Sequence, residues 1–390
     1  MDKIRESLLE MDLGAVLPKL PGNKFPYACW KMPNSDETTL IVSLSKATEN
    51  QDINSIDQGF LFNRFKDSHP KNSLHIKADI IFRENSSPRV NPVINDTKIG
   101  KFIEQIDSET SADNADISSQ PSTKDHDFEH LVEQAVSQIE KGTFEKVVLS
   151  RFKDVELPEG FSVTSFFKKV CDAYPNAFCS LIQIPGEGMW IGASPELLIS
   201  DNENCFKTAA LAGTRKLQDK EPLSELSWTQ KEIEEQALVS RYIINCFKKI
   251  RLREFDEHGP KTVKAGNLAH LRTEFEVDYS EVQFEGLADQ MLDLLHPTSA
   301  VCGMPLEAAA AFIESHEGYN RDYYAGFLGP VNFEGSTDLF VNLRCLNITG
   351  KNARFYAGAG ITADSNPAKE KAETDLKMET LKSLFPTKNA

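Results

Sequence analysis

Apolar residues recur at helical spacing in several stretches of the chain. The clearest stripe starts at Phe128 and stops before Gly142, and its apolar members are Phe128, Leu131, Val132, Ala135, Val136 and Ile139. Similar patterns predict further helices over 229–250, 284–295, 305–315 and 367–384.

Short apolar runs rich in β-branched and aromatic residues predict strands between these helices. They cover 40–44, 76–82, 146–150, 178–184, 189–192, 197–200, 340–344 and 354–357. Two pairs, 178–184 with 189–193 and 340–348 with 353–358, are joined by short turn-rich links, which favour antiparallel hairpins over βαβ crossovers. The pattern predicts an α+β protein with large antiparallel sheets and helices outside.

Composition divides the chain into three parts. Residues 1–84 are predicted to form the N-terminal part of the α+β fold. Residues 85–126 are rich in Ser, Asp, Asn, Thr and Pro, and we expect a mobile loop or linker there because this composition buries little apolar surface. Residues 127–387 form one continuous region that carries the candidate chemistry.

Charge and composition exclude several function classes. The 390 residues carry a net charge of -16, which argues against non-specific nucleic-acid binding. No stretch approaches the ~20 apolar residues of a membrane span, and the N-terminus lacks a signal-peptide core. The 7 cysteines are odd in number and have no Cys-x-x-Cys spacing, so we expect free thiols in a reducing cytoplasm.

Lys146 and Glu196 are the candidate acid–base residues, and each has two interpretations. Lys146 opens a predicted strand, where it either reaches solvent from the edge or is a buried amine that acts as a base. Glu196 follows Pro195 between two predicted strands. It is either a solvated turn residue or a carboxyl group that points into a cleft.

Acidic pairs lie on two predicted helices. Glu232 and Glu235 follow a capping-box threonine, and Glu370 and Glu373 share one face of the last helix. They are either solvated surface carboxylates or ligands of a divalent metal ion.

A glycine-rich run over 357–363 fits a dinucleotide-binding fingerprint after a strand. We reject that function because Thr362 to Asn366 separate the glycines from the helix that Pro367 begins. We interpret these glycines instead as positions without side chains, where backbone N–H groups can face a carboxylate.

Together these segments resemble the chorismate-utilising enzymes, and most closely their isochorismate synthase branch. The similarity covers about residues 128–385 and is carried by residues 146–151, 192–197, 211–215, 295–303, 320–326, 342–345 and 357–373. It implies the chorismate-utilising fold, a two-subdomain sandwich of antiparallel sheets. It also implies an isomerase that needs Mg²⁺ and moves a hydroxyl group from C4 of chorismate to C2.

The resemblance implies a role for each candidate residue. Lys146 corresponds to the base that activates water, and Glu196 to the acid that protonates the departing hydroxyl. The implied metal ligands are Glu235 and Glu373, with Glu232 and Glu370 nearby, where they support these ligands or bind the metal through water. The implied substrate-binding residues are Thr214, His270, Ala300, Val301, Tyr324, Arg344, Gly358, Gly360 and Lys377.

Particular residues distinguish the isochorismate synthase branch from the other chorismate-utilising enzymes. Lys146 favours water over ammonia, so no glutaminase subunit is expected, and Ala212 stands where aminodeoxychorismate synthases carry a lysine nucleophile. The alternative is a salicylate synthase, which also expels pyruvate; Ala300 and Val301 favour the isomerase. Gln236 departs from the family pattern, which often has histidine there. We expect a monomer that serves menaquinone, siderophore or salicylate biosynthesis, with menaquinone favoured because no carrier or lyase segment is fused.

Overall fold

A computed structural model describes residues 2–22, 24–50, 52–66, 73–108, 127–217, 222–265 and 268–386. In this part of the chain the helices are α1 Asp2–Leu9, α2 Leu13–Val16, α3 Asp96–Ser108, α4 Phe128–Glu140, α5 Val163–Ala173, α6 Gln230–Lys249, α7 Leu287–Leu295, α8 Leu306–His316 and α9 Pro367–Lys382. The strands are β1 Tyr27–Lys31, β2 Thr38–Val42, β3 Thr48–Asn50, β4 Gly59–Asn63, β5 Ser73–Lys77, β6 Ile80–Arg83, β7 Ser86–Val90, β8 Lys146–Glu156, β9 Phe178–Ile184, β10 Gly188–Ser194, β11 Leu197–Asn202, β12 Cys205–Lys216, β13 Asp256–Ala265, β14 Leu268–Asp278, β15 Gly303–Met304, β16 Phe327–Val331, β17 Ser336–Val341, β18 Cys345–Thr349 and β19 Asn352–Ile361.

Two large antiparallel sheets form the body of the protein, as the hairpin pattern predicts. Over the described residues, the first sheet has the order β15–β8–β19–β18–β10–β9–β1–β2–β6–β7 and the second β13–β14–β12–β11–β17–β16–β4–β5–β3. The first predicted hairpin is confirmed, since β9 pairs with β10. The second is confirmed only from Cys345 onwards, where β18 pairs with β19, because residues 340 and 341 belong to β17 in the second sheet. Residues 1–84 supply strands at one end of each sheet, so the N-terminal part and the C-terminal region share both sheets.

The first sheet is buried on both faces. Along β1, Ala28 and Trp30 pack into a core that includes residues of the second sheet, whereas Tyr27 and Cys29 pack into a second core with residues of α3 and α5. This alternation follows the two-residue repeat of a strand. The protein is therefore a sandwich of sheets with helices outside, and the predicted fold class is confirmed.

The predicted linker over 85–126 is wrong in its first half. Residues 86–90 form β7, and residues 96–108 form α3. Ile99, Phe102 and Ile106 are spaced to share one face of α3 and are buried, and this apolar stripe outweighs the polar composition of the segment. Residues 109–126 lie outside the described residues.

Two predicted strands also differ from the structure. The run 76–82 divides into β5 and β6 at Asp79, where the chain crosses from one sheet to the other and the Asp79 carboxylate accepts a hydrogen bond from Leu44 N at 2.8 Å. The run 340–344 leaves the strand after Val341, because the backbone turns into the left-handed region at Arg344, where φ is 48°. In the described ranges, no helix is long and apolar enough to cross a bilayer.

Candidate active site

One cavity collects the predicted site residues from both sheets. On one side α9 packs against β19, and on the other α6 packs against β12. The cavity is lined by Val148, Pro195, Glu196, Leu211, Ala212, Gly213, Thr214, Glu235, His270, Ala300, Val301, Tyr324, Ala325, Leu343, Arg344, Gly358, Gly360, Glu373 and Lys377. All the substrate-binding residues that the sequence predicts are among them.

Lys146 is buried beside this cavity and does not reach solvent. It is the first residue of β8 and is 2% exposed. Its Nζ donates a hydrogen bond to Glu235 Oε1 at 2.8 Å. Gly360 leaves room for this pair: a Cβ atom there would lie 2.9 Å from Glu235 Oε1 and 3.0 Å from Lys146 Cε. The interpretation of Lys146 as a solvent-reaching edge residue is wrong.

Glu196 lies between β10 and β11 and lines the cavity. Its backbone carbonyl accepts a hydrogen bond from Val341 N at 3.0 Å, which holds the turn against the second sheet. Burial raises the pKa of the Glu196 carboxyl to about 7, against the opposing charges of Arg344, Lys146 and Lys377. A large share of Glu196 is therefore protonated at neutral pH.

Glu235 and Glu373 reach the cavity from α6 and α9. Burial alone would raise the pKa of Glu235, but the charge and hydrogen bond of Lys146 hold it below its usual value, so this carboxyl is ionised. Glu373 pairs with Lys377 at 2.7 Å, and Lys377 also donates to the Gly358 carbonyl at 2.8 Å.

The other two predicted metal ligands do not line the cavity. Glu232 closes a capping box with Thr229 at the start of α6. Glu370 is buried on α9 and pairs with Lys231 at 2.8 Å. In the part of the chain that the structure describes, no group of three or more His, Cys, Asp or Glu side chains is placed to hold a metal ion.

The donor set nevertheless fits Mg²⁺ at one position. Mg²⁺ is commonly held by one or two protein carboxylates, with water and substrate oxygens completing its shell. Glu235 on α6 and Glu373 on α9 supply two such carboxylates to one cavity. The pair fits Mg²⁺, whereas the predicted set of four is not gathered at one point.

Arg344, Lys377 and Tyr324 form the part of the cavity suited to an anion. Arg344 is half-buried, and its left-handed backbone is a strained conformation for a residue with a side chain. Strain of this kind persists where surrounding contacts fix the backbone, and here the Arg344 carbonyl accepts a hydrogen bond from Ala193 N at 3.1 Å. A Cβ on Gly358 would lie 3.0 Å from the Tyr324 hydroxyl, so glycine allows close approach to this wall.

His270 is a neutral hydrogen-bonding group in the cavity wall. Burial, reinforced by the positive charge of Arg344, lowers the pKa of His270 to about 3. Its Nδ1 lies 2.7 Å from the Gly213 carbonyl, so Nδ1 carries the proton and Nε2 is an acceptor. Nε2 is buried and meets no hydrogen-bond donor within the described ranges. Thr214 lies beside it, with Oγ1 at 3.4 Å from Nδ1.

Sequence reasoning missed two features of this site. It gave Lys146 and Glu235 separate roles and did not predict that they contact each other, because 89 residues separate them. It also missed Val148 and Leu343 in the cavity wall, which read as ordinary strand residues. The sequence did carry a signal for Val148. It lies two residues after Lys146, on the same face of the strand, so it could have been predicted to line the same cavity.

A family model described as "Chorismate binding enzyme" matches residues 45–385 of this chain. The chain belongs to this family. It is 28% identical over 263 residues to isochorismate synthase EntC of Escherichia coli K12, a match that covers 66% of each chain. It is 28% identical over 273 residues to isochorismate synthase DhbC of Bacillus subtilis, covering 67% of this chain and 68% of the relative. The salicylate biosynthesis isochorismate synthase of Pseudomonas aeruginosa is 32% identical over 268 residues, covering 65% and 54%.

Solved structures of this family share the fold. The menaquinone-specific isochorismate synthase MenF of Escherichia coli superimposes with a TM-score of 0.77 at 22% identity, over 97% of this chain and 92% of that one. Anthranilate synthase component I of Streptococcus pneumoniae superimposes with a TM-score of 0.66 at 19% identity, over 92% of each chain. The predicted resemblance to chorismate-utilising enzymes is confirmed.

Proposed function

We propose that this protein is an isochorismate synthase, which converts chorismate into isochorismate. The observation that carries the proposal is one buried cavity between an amine and a protonated carboxyl group. Lys146 lies beside it next to Glu235, and Glu196 lines it with a pKa of about 7. The printed names of the relatives support the same activity.

The proposed reaction moves one hydroxyl group by exchange with water. In its deprotonated form, Lys146 removes a proton from a water molecule as the water oxygen attacks C2 of chorismate. The ring double bonds shift, the C4 hydroxyl takes a proton from Glu196 and leaves as water. One water molecule is consumed and one is released, so the product is an isomer of the substrate. General acid and general base contribute about 10²–10⁴ each to the rate.

The remaining cavity residues hold the substrate in this proposal. Arg344, Lys377 and Tyr324 bind the enolpyruvyl carboxylate and the ring, together with N–H groups near Gly358 and Gly360. A small anion needs such local positive charge because the whole protein carries a net charge of -16.

Glu235 and Glu373 would hold Mg²⁺, and a bound Mg²⁺ would neutralise and orient the ring carboxylate of the substrate. The carboxylates of these two residues already have cationic partners, Lys146 and Lys377, in the structure. The cavity therefore already holds carboxylates next to positively charged groups, which supports this proposal. In this proposal Glu232 supports the first turn of α6, and Glu370 links α9 to α6 through Lys231.

The proposal also covers the location, partners and pathway of the enzyme. We place it in the reducing cytoplasm, supported by seven free cysteines, six of them buried. We propose that it acts without a glutaminase subunit and as a monomer. The named relatives include a menaquinone-specific enzyme and a vibriobactin-specific one, which supports menaquinone or siderophore biosynthesis as the pathway that receives isochorismate.

Incubation with chorismate and Mg²⁺, followed by chromatographic separation of the products, tests the activity. We expect isochorismate from the parent protein, none after chelation of divalent ions, and a loss of about 10²–10⁴ in kcat for Lys146→Ala. Lys207→Ala, at an exposed position on β12, is the matched control and keeps the parental rate.

Two results would contradict the proposal. Absence of isochorismate from the parent protein would reject the activity, and an undiminished rate for Lys146→Ala would reject the assigned base. Release of pyruvate in step with chorismate consumption would indicate a salicylate synthase instead.

A further inference from the structure

A buried ion pair lies behind the cavity and takes no part in the proposed chemistry. Glu317 follows α8, and Arg321 lies four residues later; their side chains are 1% and 2% exposed. Arg321 Nε donates to Glu317 Oε2 at 2.8 Å, and its guanidinium lies 4.2 Å above the Phe65 ring. A buried pair of this kind adds little stability compared with apolar residues, so its hydrogen bonds to other groups are the informative feature.

Arg321 joins two walls of the cavity. Its Nη2 donates to the Val148 carbonyl at 2.7 Å, and its Nη1 donates to the Val301 carbonyl at 2.9 Å. Val148 and Val301 both line the cavity. Because the guanidinium is planar and rigid, it fixes the separation of these two backbone segments.

Glu317 forms hydrogen bonds along the edge of β8 that, within the described residues, lacks a neighbouring strand past β15. The short strand β15 covers β8 only at Lys146 and Val147, and the Cys302 carbonyl then accepts from Val148 N at 2.8 Å. Further along this edge, Glu317 Oε1 accepts from Ser150 N at 2.7 Å and Oε2 accepts from Ser150 Oγ at 3.0 Å. The ion pair therefore takes the place of a neighbouring strand just beyond Lys146.

We propose that Glu317 and Arg321 are positioning residues, which hold the strand that bears Lys146 against the Ala300–Val301 wall. This inference rests on the proposed function, in which Lys146 and the Ala300–Val301 wall face the substrate. The pair does not touch the cavity and acts through Val148, Ser150 and Val301. It sets where the base stands relative to the substrate, whereas Arg344 and Lys377 set how tightly the substrate binds.

Arg321→Lys tests this role. Lysine keeps a positive charge beside Glu317, but a single ammonium group cannot reproduce the planar fork that reaches both carbonyls. We expect kcat to fall by on the order of 100-fold, the cost of a misplacement of about 1 Å, while KM for chorismate changes little. Asp79→Ala is the control for general destabilisation, because it removes a buried carboxylate that is bonded to Leu44 N and lies away from the cavity.

Hydrogen–deuterium exchange gives a readout that does not depend on turnover. In Arg321→Lys, peptides covering 146–151 and 298–302 should exchange faster than in the parent, and in Asp79→Ala they should not. The double variant Glu317→Leu/Arg321→Met leaves no unpaired buried charge, so it protects the test against misfolding of the single variant. It should show the same loss of kcat and the same local exchange.

Three outcomes would overturn the inference: parental kcat in a folded Arg321→Lys, recovery of kcat on cooling as for a merely destabilised protein, or unchanged exchange of both peptides. If the proposed function is wrong, a different result is expected. The parent protein would then make no isochorismate, and the exchange measurement would still decide whether the pair holds these two walls.

Discussion

Glu196 differs from the other carboxylates around the cavity because, among the described residues, no cation forms an ion pair with it that would offset its burial. Burial raises its pKa from 4.5 to about 7, although Arg344, Lys146 and Lys377 act in the opposite direction. Glu235 is partly buried, with 24% of its side chain exposed, yet its contact with Lys146 keeps its pKa below the usual value. Two glutamates in one cavity thus have different charges at neutral pH, and only Glu196 can donate a proton there.

The protonation of Glu196 predicts the alkaline limb of the pH–rate profile. Since the protonated form is the acid, kcat/KM should fall as pH rises through about 7. Glu196→Gln keeps the shape of the side chain and removes the proton, so it should lose about 10²–10⁴ in kcat and also lose this limb. Steady-state rates across the pH range provide the measurement. A parental limb that persists in Glu196→Gln would assign the titration to another group.

The same pKa shift predicts how stability depends on pH. The folded protein binds the Glu196 proton more tightly than the unfolded chain, so the contribution of this group is complete below about pH 4.5 and is lost as pH rises through about 7. Glu196→Gln should therefore gain stability relative to the parent between these pH values, by up to about 3 kcal/mol. Denaturant unfolding of both proteins at several pH values measures the difference. A difference that is constant with pH would show that the carboxyl is not perturbed by folding.

At the scale of elements, β19 lies close to the Lys146–Glu235 pair because its residue 360 is a glycine. Gly360→Ala would place Cβ within 3.0 Å of both side chains, so we expect the pair to separate and kcat to fall by at least about tenfold. Gly100→Ala on α3 is the matched control. Its Cβ would meet only Ile4 Cδ1 at 3.8 Å, and alanine favours a helix by roughly 0.5–1 kcal/mol. Equal rates for the two variants would contradict this account of β19.

Helix α3 provides a second prediction at this scale. Phe102 is fully buried in the polar stretch that composition assigns to a linker, and it packs edge-on against Phe25 at 5.4 Å. Phe102→Ala should lower the free energy of unfolding by about 3–5 kcal/mol. Lys101→Ala, on the exposed side of the same turn, should change it little. Chemical denaturation of both variants provides the comparison, and a small effect of Phe102→Ala would mean that the helix does not dock.

Over the whole molecule, sequence reasoning predicted the parts that depend on local pattern. The hairpins and the helices α4, α6 and α9 follow from apolar periodicity, and the motif segments identify the residues that meet in the cavity. Periodicity does not predict which strand joins which sheet, so the division at Asp79 was missed. The irregular backbone at Arg344 was missed for a related reason, because tertiary contacts hold it and not local preference.

The positions of the four acidic residues show the same limit. Helical spacing correctly places each acidic pair on one helix face. It does not say which member of each pair lines the cavity: Glu232 instead closes the capping box at the start of α6, Glu370 pairs with Lys231, and neither lines the cavity. Only the packing of α6 and α9 against separate sheets selects Glu235 and Glu373 for the cavity.

The most direct test of the central claim is turnover of chorismate in H₂¹⁸O, with the label located in the product by mass spectrometry and NMR. If Lys146 activates water on one side of the ring and Glu196 releases the C4 hydroxyl on the other, isochorismate should carry ¹⁸O at C2. The label should appear at the same place, but far more slowly, with Lys146→Ala. Unlabelled isochorismate, with the original C4 oxygen retained at C2, would contradict the account.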